Sequence, residues 1–172
     1  IHWSKINLGF VFSAEVFSEE FRKHILKYTS KKNPLTATLN HYGTVDLGTM
    51  SYETPLAILA RQLILSSEIT TESLFHGKWK TPTLTQYMPE MFYFEDGGKN
   101  DLYVSGYSGI PLVRYDLKDR GNVYTKKFIE SELSKSKIDL EKISKQSGIS
   151  ASTWNLPFVQ VFERTDMSVS YY

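Results

Sequence analysis

The sequence predicts an α/β chain whose first part alternates strand and helix and whose second part, from near Lys80, is a small antiparallel sheet or distorted barrel. Three observations carry this. Helix-start signals fall between short β-rich runs in the first part. Aromatic runs broken by turn residues dominate the second. A lysine-rich helical stretch then interrupts the strands before a last apolar run.

In chain order, Ile6–Phe12 (INLGFVF) is a short apolar run with aromatic and β-branched residues, predicted as a buried strand. Ser18 caps a helix over Glu19–Ser30, in which Phe21, Ile25 and Tyr28 share one face and the two leading glutamates favour the positive helix end. Leu35–Tyr42 alternates and is rich in Thr and Leu, a second strand that ends at Gly43. A loop then leads to Thr54 and Pro55, an N-cap followed by proline at the first helical position, with Leu56, Leu59, Ala60, Leu63 and Ile64 as the buried stripe. After Lys80 come the runs TPTLTQYMP, MFYFEDGGKNDLYVSG and GIPLVRYDLKDRGNVY, in which EDGGKND is a hairpin turn with glycines able to take positive φ. Lys126–Lys145 reads as helix, broken near Ser136–Asp139 and ended by Gly148. LPFVQVF is the final strand.

The 172 residues suffice for one domain or two tightly associated subdomains. A net charge of +1 gives no argument for nucleic acid or a membrane surface, and no run is long and apolar enough to span a bilayer. The absence of cysteine excludes disulfides and thiolate chemistry here and permits a reducing compartment, so the expected location is the cytoplasm. Both ends read as cuts through a longer protein. The oligomeric state stays open, a dimer being one form it admits. The four histidines, His2, His24, His41 and His76, show no metal-ligand spacing, and His24 reads as structural. There is no Gly-x-Ser-x-Gly elbow and no glycine-rich phosphate loop.

Three constellations could carry chemistry. HYGTVDLG (His41–Gly48) stands at the mouth of the second strand, where a ring, an unobstructed backbone, the Thr44 hydroxyl and the Asp46 carboxylate suit a purine, a phosphate and a hard cation. Alone it reads as a polar turn whose Asp46 caps nearby amides. In SGIPLVRYDLKDRG (Ser108–Gly121), Asp119 falls where the strand breaks, and one carboxylate suits the adjacent hydroxyls of a ribose. Alone this is a charged hairpin with a local Arg–Asp pair. In FERTD (Phe162–Asp166), Arg164 offers a planar fork for a phosphate or ribose hydroxyl, or is simply a polar strand end.

Taken in order, HYGTVDLG, GIPLVRYDLKDRG and VFERTD resemble the downstream motifs of adenylate-forming (AMP-binding) enzymes, in the phenylacetate–CoA ligase-like branch. SYETPL and TLTQYMPEMFYFE resemble the same branch, so the likeness covers nearly the whole chain. That family carries a Tyr-Gly-x-Thr-Glu-type motif, a Tyr-Arg-Thr-Gly-Asp-type motif (here Arg-Tyr-x-x-x-Asp) and a Gly-Arg-x-Asp-type motif. The resemblance implies that Tyr42 and Gly43 bound the adenine, Thr44 lies near the α-phosphate, Asp46 is the Mg²⁺-associated acid, Asp119 holds the ribose diol, Arg164 contacts the nucleotide and Asp166 is a hinge. Phe12–Glu15 (FSAE) would line the adenine and acyl pocket. It implies a partial α/β sandwich over residues 1–80, a β-rich subdomain with a helical insertion over 81–162, and a hinge over 163–172 leading to a C-terminal domain. The catalytic lysine is then expected downstream and the triphosphate loop upstream, with no catalytic residue inside the segment and the isolated fragment inactive.

The implied activity is ATP-dependent activation of a small-molecule carboxylate as an acyl-adenylate, followed by thioester formation with coenzyme A; the implied cofactors are ATP, Mg²⁺ and coenzyme A. Val45 departs from the family by standing where a hydroxyl residue precedes the acid, and Glu163 by replacing the glycine before Arg164. Two alternatives stay open: a related enzyme with a non-CoA acceptor or an AMP transferase, and a non-catalytic nucleotide-binding or interaction module on the same scaffold.

Overall fold

The computed structural model describes residues 2–13, 18–77, 81–149 and 155–164. Their elements, in order, are β1 (Phe10–Ser13), α1 (Glu19–Ile25), α2 (Pro34–Ala37), β2 (Thr38–Thr44), β3 (Gly48–Tyr52), α3 (Pro55–Leu65), α4 (Glu68–Phe75), β4 (Thr83–Gln86), β5 (Phe92–Asp96), β6 (Asp101–Ser108), β7 (Ile110–Tyr124), α5 (Lys126–Lys135), α6 (Leu140–Gln146) and β8 (Phe158–Arg164). The eight strands form one open mixed sheet in the order β1-β2-β3-β4-β8-β7-β6-β5. β1 and β2 are parallel, and every other pair is antiparallel. β3 and β4 meet in register only at Tyr52 and Gln86, so the sheet is thinnest at that junction.

Local signals placed several elements. Ser18, Thr54, Thr125 and Asp139 each accept a backbone N–H from the first turn of α1, α3, α5 and α6. The lysine-rich stretch breaks between Lys135 and Leu140 as expected, and Gly148 takes a positive φ of 75° after α6. The β5–β6 turn carries positive φ at Gly98, Lys99 and Asn100.

Other elements differ from the sequence expectation. The first strand begins at Phe10 rather than Ile6. The second begins at Thr38, because Asn33 caps and Pro34 opens the short helix α2. β3 lies where the sequence offered only a loop, and α4 in a stretch to which no element was assigned. The largest difference is in α1, which gives way to a 3-10 turn at Leu26–Tyr28. Its apolar residues Phe21 and Tyr28 are 41% and 48% exposed, whereas Arg22 is fully buried. The buried face is ionic. The Arg22 guanidinium donates to Glu19 at 3.1 Å and to Glu53 at 2.6 Å, and Arg61 from α3 donates to Glu19 at 3.0 Å. Arg61 also stands 3.6 Å from Glu53. Thr38 accepts from Arg22, the Asn40 backbone N–H donates to Glu53, and Gln62 donates to Glu19. Two cations and two anions thus bind α1, β2 and α3 together around Glu53, with no net charge.

The core lies on both sides of the sheet. Alternation along β8 sends Phe158 to a cluster with α3, α4, α5, α6 and Leu84, and sends Val159 and Val161 to a second cluster with Leu47, Met50, Phe94, Leu102 and Leu117. Both clusters take residues from either side of residue 80. All four residues of β4 are buried. Their polar groups bond inward: Thr85 to Ser51, and Gln86 to Thr54 and the Leu156 carbonyl. Among the described residues no helix is long and apolar enough to cross a membrane.

Candidate functional site

β7 is a single strand of 15 residues, not a pair of short ones broken by a turn. It is kinked instead. Arg114 and Lys118 adopt left-handed backbone (φ 50° and 57°), and the β6–β7 register shifts at two places. Such bulges re-aim the side chains beside them. Leu117 and Asp119 turn inward while Lys118 and Arg120 stay outside, leaving the Asp119 carboxylate only 5% exposed.

Across from it is Tyr42 of β2, whose hydroxyl donates to Asp119 Oδ2 at 2.5 Å. The two strands are not neighbours, since β3, β4 and β8 lie between them. At about 4.8 Å per strand a flat sheet would hold them roughly 19 Å apart, so the sheet curls strongly to bring them together. The Tyr42 ring packs beside Phe94, 6.3 Å between centroids. Burial first, and then the Asp119 carboxylate, push the Tyr42 phenol far above its ordinary value. It is therefore a fixed proton donor at any physiological pH. Arg164, last residue of β8, is the register partner of Asp119, and its Nε stands 3.9 Å from Asp119 Oδ1. Half exposed, it forms one wall of the site.

β2 and β3 turn through Thr44–Gly48. The Thr44 hydroxyl accepts from the Leu47 N–H at 3.2 Å, and Leu47 is buried. A Cβ on Gly43 would lie 2.2 Å from the Gly48 carbonyl oxygen, so only glycine lets the two strands approach this closely. The turn holds Asp46, whose Oδ2 accepts from the Tyr115 hydroxyl at 2.6 Å. This bond raises the Tyr115 phenol above its ordinary value.

Between these elements is a cleft of about 670 Å³, lined among others by Ser13, His41, Gly43, Asp46, Tyr115 and Arg164. That volume suits a small-molecule ligand, for which pockets of roughly 300–1,000 Å³ are usual. Of the residues expected from the sequence, Gly43, Thr44, Asp46 and Arg164 line this cleft, whereas Tyr42 and the buried Asp119 are bonded to each other beside it, with Asp119 facing Arg164. Ser13 lines it too, while Ala14, Glu15 and Asp166 lie outside the described residues. Asp116 lines the cleft as well, and it accepts from the Lys118 N–H and ammonium, which holds its carboxyl below the ordinary value. Val45 is wholly exposed at the turn tip, and Glu163 stands 3.7 Å from Arg120 on the surface.

The lining residues His41, Thr49 and Tyr115 had no role in the sequence reading. The Thr49 hydroxyl and His41 Nδ1 are 3.3 Å apart. The one signal for His41 was its place at the head of the HYGTVDLG stretch, on the same strand face as Gly43. Tyr115 carried no signal of its own beyond its place four residues before Asp119. No protein-family model, no curated protein and no solved structure matches the chain.

Proposed function

We propose that this chain is part of the large adenylation domain of an ATP-dependent carboxylate-activating enzyme resembling phenylacetate–CoA ligases, with residues 1–80, 81–162 and 163–172 as its α/β part, β-rich part and hinge. One observation carries the reading: three sequence motifs far apart in the chain meet at Asp119, which takes the Tyr42 hydroxyl and faces Arg164. A second supports it. The Tyr-Arg-Thr-Gly-Asp-type motif has glycine before its aspartate, and here Lys118, in that position, takes the left-handed backbone that glycine favours.

In the proposed reaction a carboxylate oxygen attacks the α-phosphorus of ATP. An acyl–phosphate anhydride forms and pyrophosphate leaves. The thiol of coenzyme A, losing its proton, then attacks the acyl carbon and AMP departs. Asp119 accepts from the ribose hydroxyls and so fixes the distance between phosphorus and nucleophile, where a displacement of about 1 Å costs on the order of a hundredfold in rate. Tyr42 holds the Asp119 carboxylate and is itself backed by Phe94. The Arg164 fork donates to the nucleotide from the opposite wall. Mg²⁺, when bound, offsets charge on the phosphates. Asp46 is the residue that would hold it, and a single carboxylate suits this ion when phosphates supply further oxygens.

The test uses the full-length protein with ATP, a panel of carboxylates and coenzyme A. AMP release that depends on both carboxylate and coenzyme A is expected, and Asp119→Ala should weaken ATP binding by at least about tenfold. Asp119→Asn, which keeps the side-chain volume, guards against a folding defect. ATP affinity and turnover unchanged in both variants would remove Asp119 from the site. Adenylate that accumulates regardless of coenzyme A would point to another acceptor.

A further inference from the structure

Two tyrosine–aspartate bonds join β7 to β2 and its turn in opposite directions. Tyr42 of β2 donates to Asp119 of β7, and Tyr115 of β7 donates to Asp46 of the β2–β3 turn. The second pair differs from the first in its support. Asp46 is an exposed side chain beside the fully exposed Val45, on a turn anchored through Leu47 rather than through Asp46 itself. Tyr115, by contrast, is held firmly. It lies on β7 opposite Val104 of β6 and packs against the second core cluster. A rigid aromatic donor therefore reaches out of the sheet to a carboxylate that the turn alone would leave to sample several rotamers.

We infer that Tyr115 is a positioning residue, which orients the Asp46 carboxylate into the cleft for a nucleotide-bound divalent cation. This rests on the reading of Asp46 as the metal-associated acid. The phenol takes one carboxylate oxygen at 2.6 Å and leaves the carboxylate presented along the cleft wall that both residues line. Outer partners that orient a ligating carboxylate raise its affinity for the ion without touching the ion. The bond also ties the turn to β7, so that Asp46 and Asp119 keep a fixed spacing. That spacing would have to match the distance between the phosphates and the ribose of one nucleotide.

The experiment is equilibrium ATP binding to the full-length protein, by calorimetry, once with Mg²⁺ and once with EDTA. In the wild type Mg²⁺ should tighten ATP binding. Tyr115→Phe should reduce that gain by about tenfold while leaving metal-free ATP binding and the melting temperature near wild type. Asp46→Asn should remove the gain, and adding Tyr115→Phe to it should change nothing further, since the phenol acts only through Asp46. A Tyr115→Phe protein with the full Mg²⁺ gain overturns the inference and leaves the nucleotide reading standing. Equal weakening with and without Mg²⁺ also overturns it, by showing a purely structural role. A wild-type protein that binds no ATP overturns the proposed function itself, and this inference with it.

Discussion

The ionic cluster beneath α1 and the cleft against β7 both set carboxylates opposite fixed donors, but they are built to opposite ends. In the cluster, Glu19, Arg22, Glu53 and Arg61 are all at most 8% exposed and answer one another's charge. At the cleft the phenol donors are neutral, one carboxylate is buried and the other exposed, and the half-exposed Arg164 has its Nε 3.9 Å from the buried one. A closed cluster of matched charges fastens elements together. An open one, whose carboxylates are oriented mainly by neutral phenols, leaves a face to something that arrives from outside.

Removing one cluster charge should give the largest effect. Arg22→Met leaves the buried Glu19 and Glu53 sharing one guanidinium, that of Arg61, where there were two, and should cost about 3–5 kcal/mol in urea denaturation. A loss under about 1 kcal/mol would mean that water reaches the cluster and that the contrast with the cleft is false.

The cleft should respond less to the loss of a neutral donor. Tyr42→Phe is expected to cost about 1–3 kcal/mol, because Asp119 stays buried without that phenol. The variant also sharpens the alkaline limb. The Tyr42 phenol is raised in the folded state, so above its ordinary value of 10 the unfolded chain releases a proton that the folded chain keeps. Stability is then fully present below pH 10 and falls as pH rises beyond it. Tyr124, which burial pushes up to about 12, acts in the same direction until pH 12. Melting temperatures measured from pH 9 to 12 should fall less steeply for Tyr42→Phe; equal slopes would show that the Tyr42 phenol ionises as freely in the folded protein as in the unfolded one.

The smallest effect is expected at the kink. Lys118→Gly removes a side chain from left-handed backbone and also its bond to Asp116. A rise in melting temperature of about 1–3 °C is expected, since the strain relieved is local and the exposed pair contributes little. A fall would show that the Lys118–Asp116 pair, rather than the fold around it, sets the bulge that turns Asp119 inward.

Sequence legibility followed the range of the interaction. Ser18, Thr54 and Pro55, and Gly148 announced helix ends, because caps are made by residues a few positions apart. The α1 face was misread for the same reason. Spacing put Phe21 and Tyr28 on a stripe, and nothing local reveals that Glu53 and Arg61 arrive to claim the opposite side. Leu35–Ala37 looked like alternating strand until the Asn33–Pro34 cap took precedence. At the cleft, Tyr42, Asp46, Asp119 and Arg164 could be picked out by residue type and order. Tyr115 could not, because its partner lies in a distant turn.

By itself, then, the sequence determined the α/β class, the capped helix starts and the candidate carboxylates, since each depends on neighbours along the chain. The tertiary structure decided that β7 runs unbroken through its bulges, that a curled sheet carries β2 to β7 across three intervening strands, and which tyrosine holds which aspartate. Those outcomes come from sheet twist and long-range packing, which no stretch of the chain encodes alone.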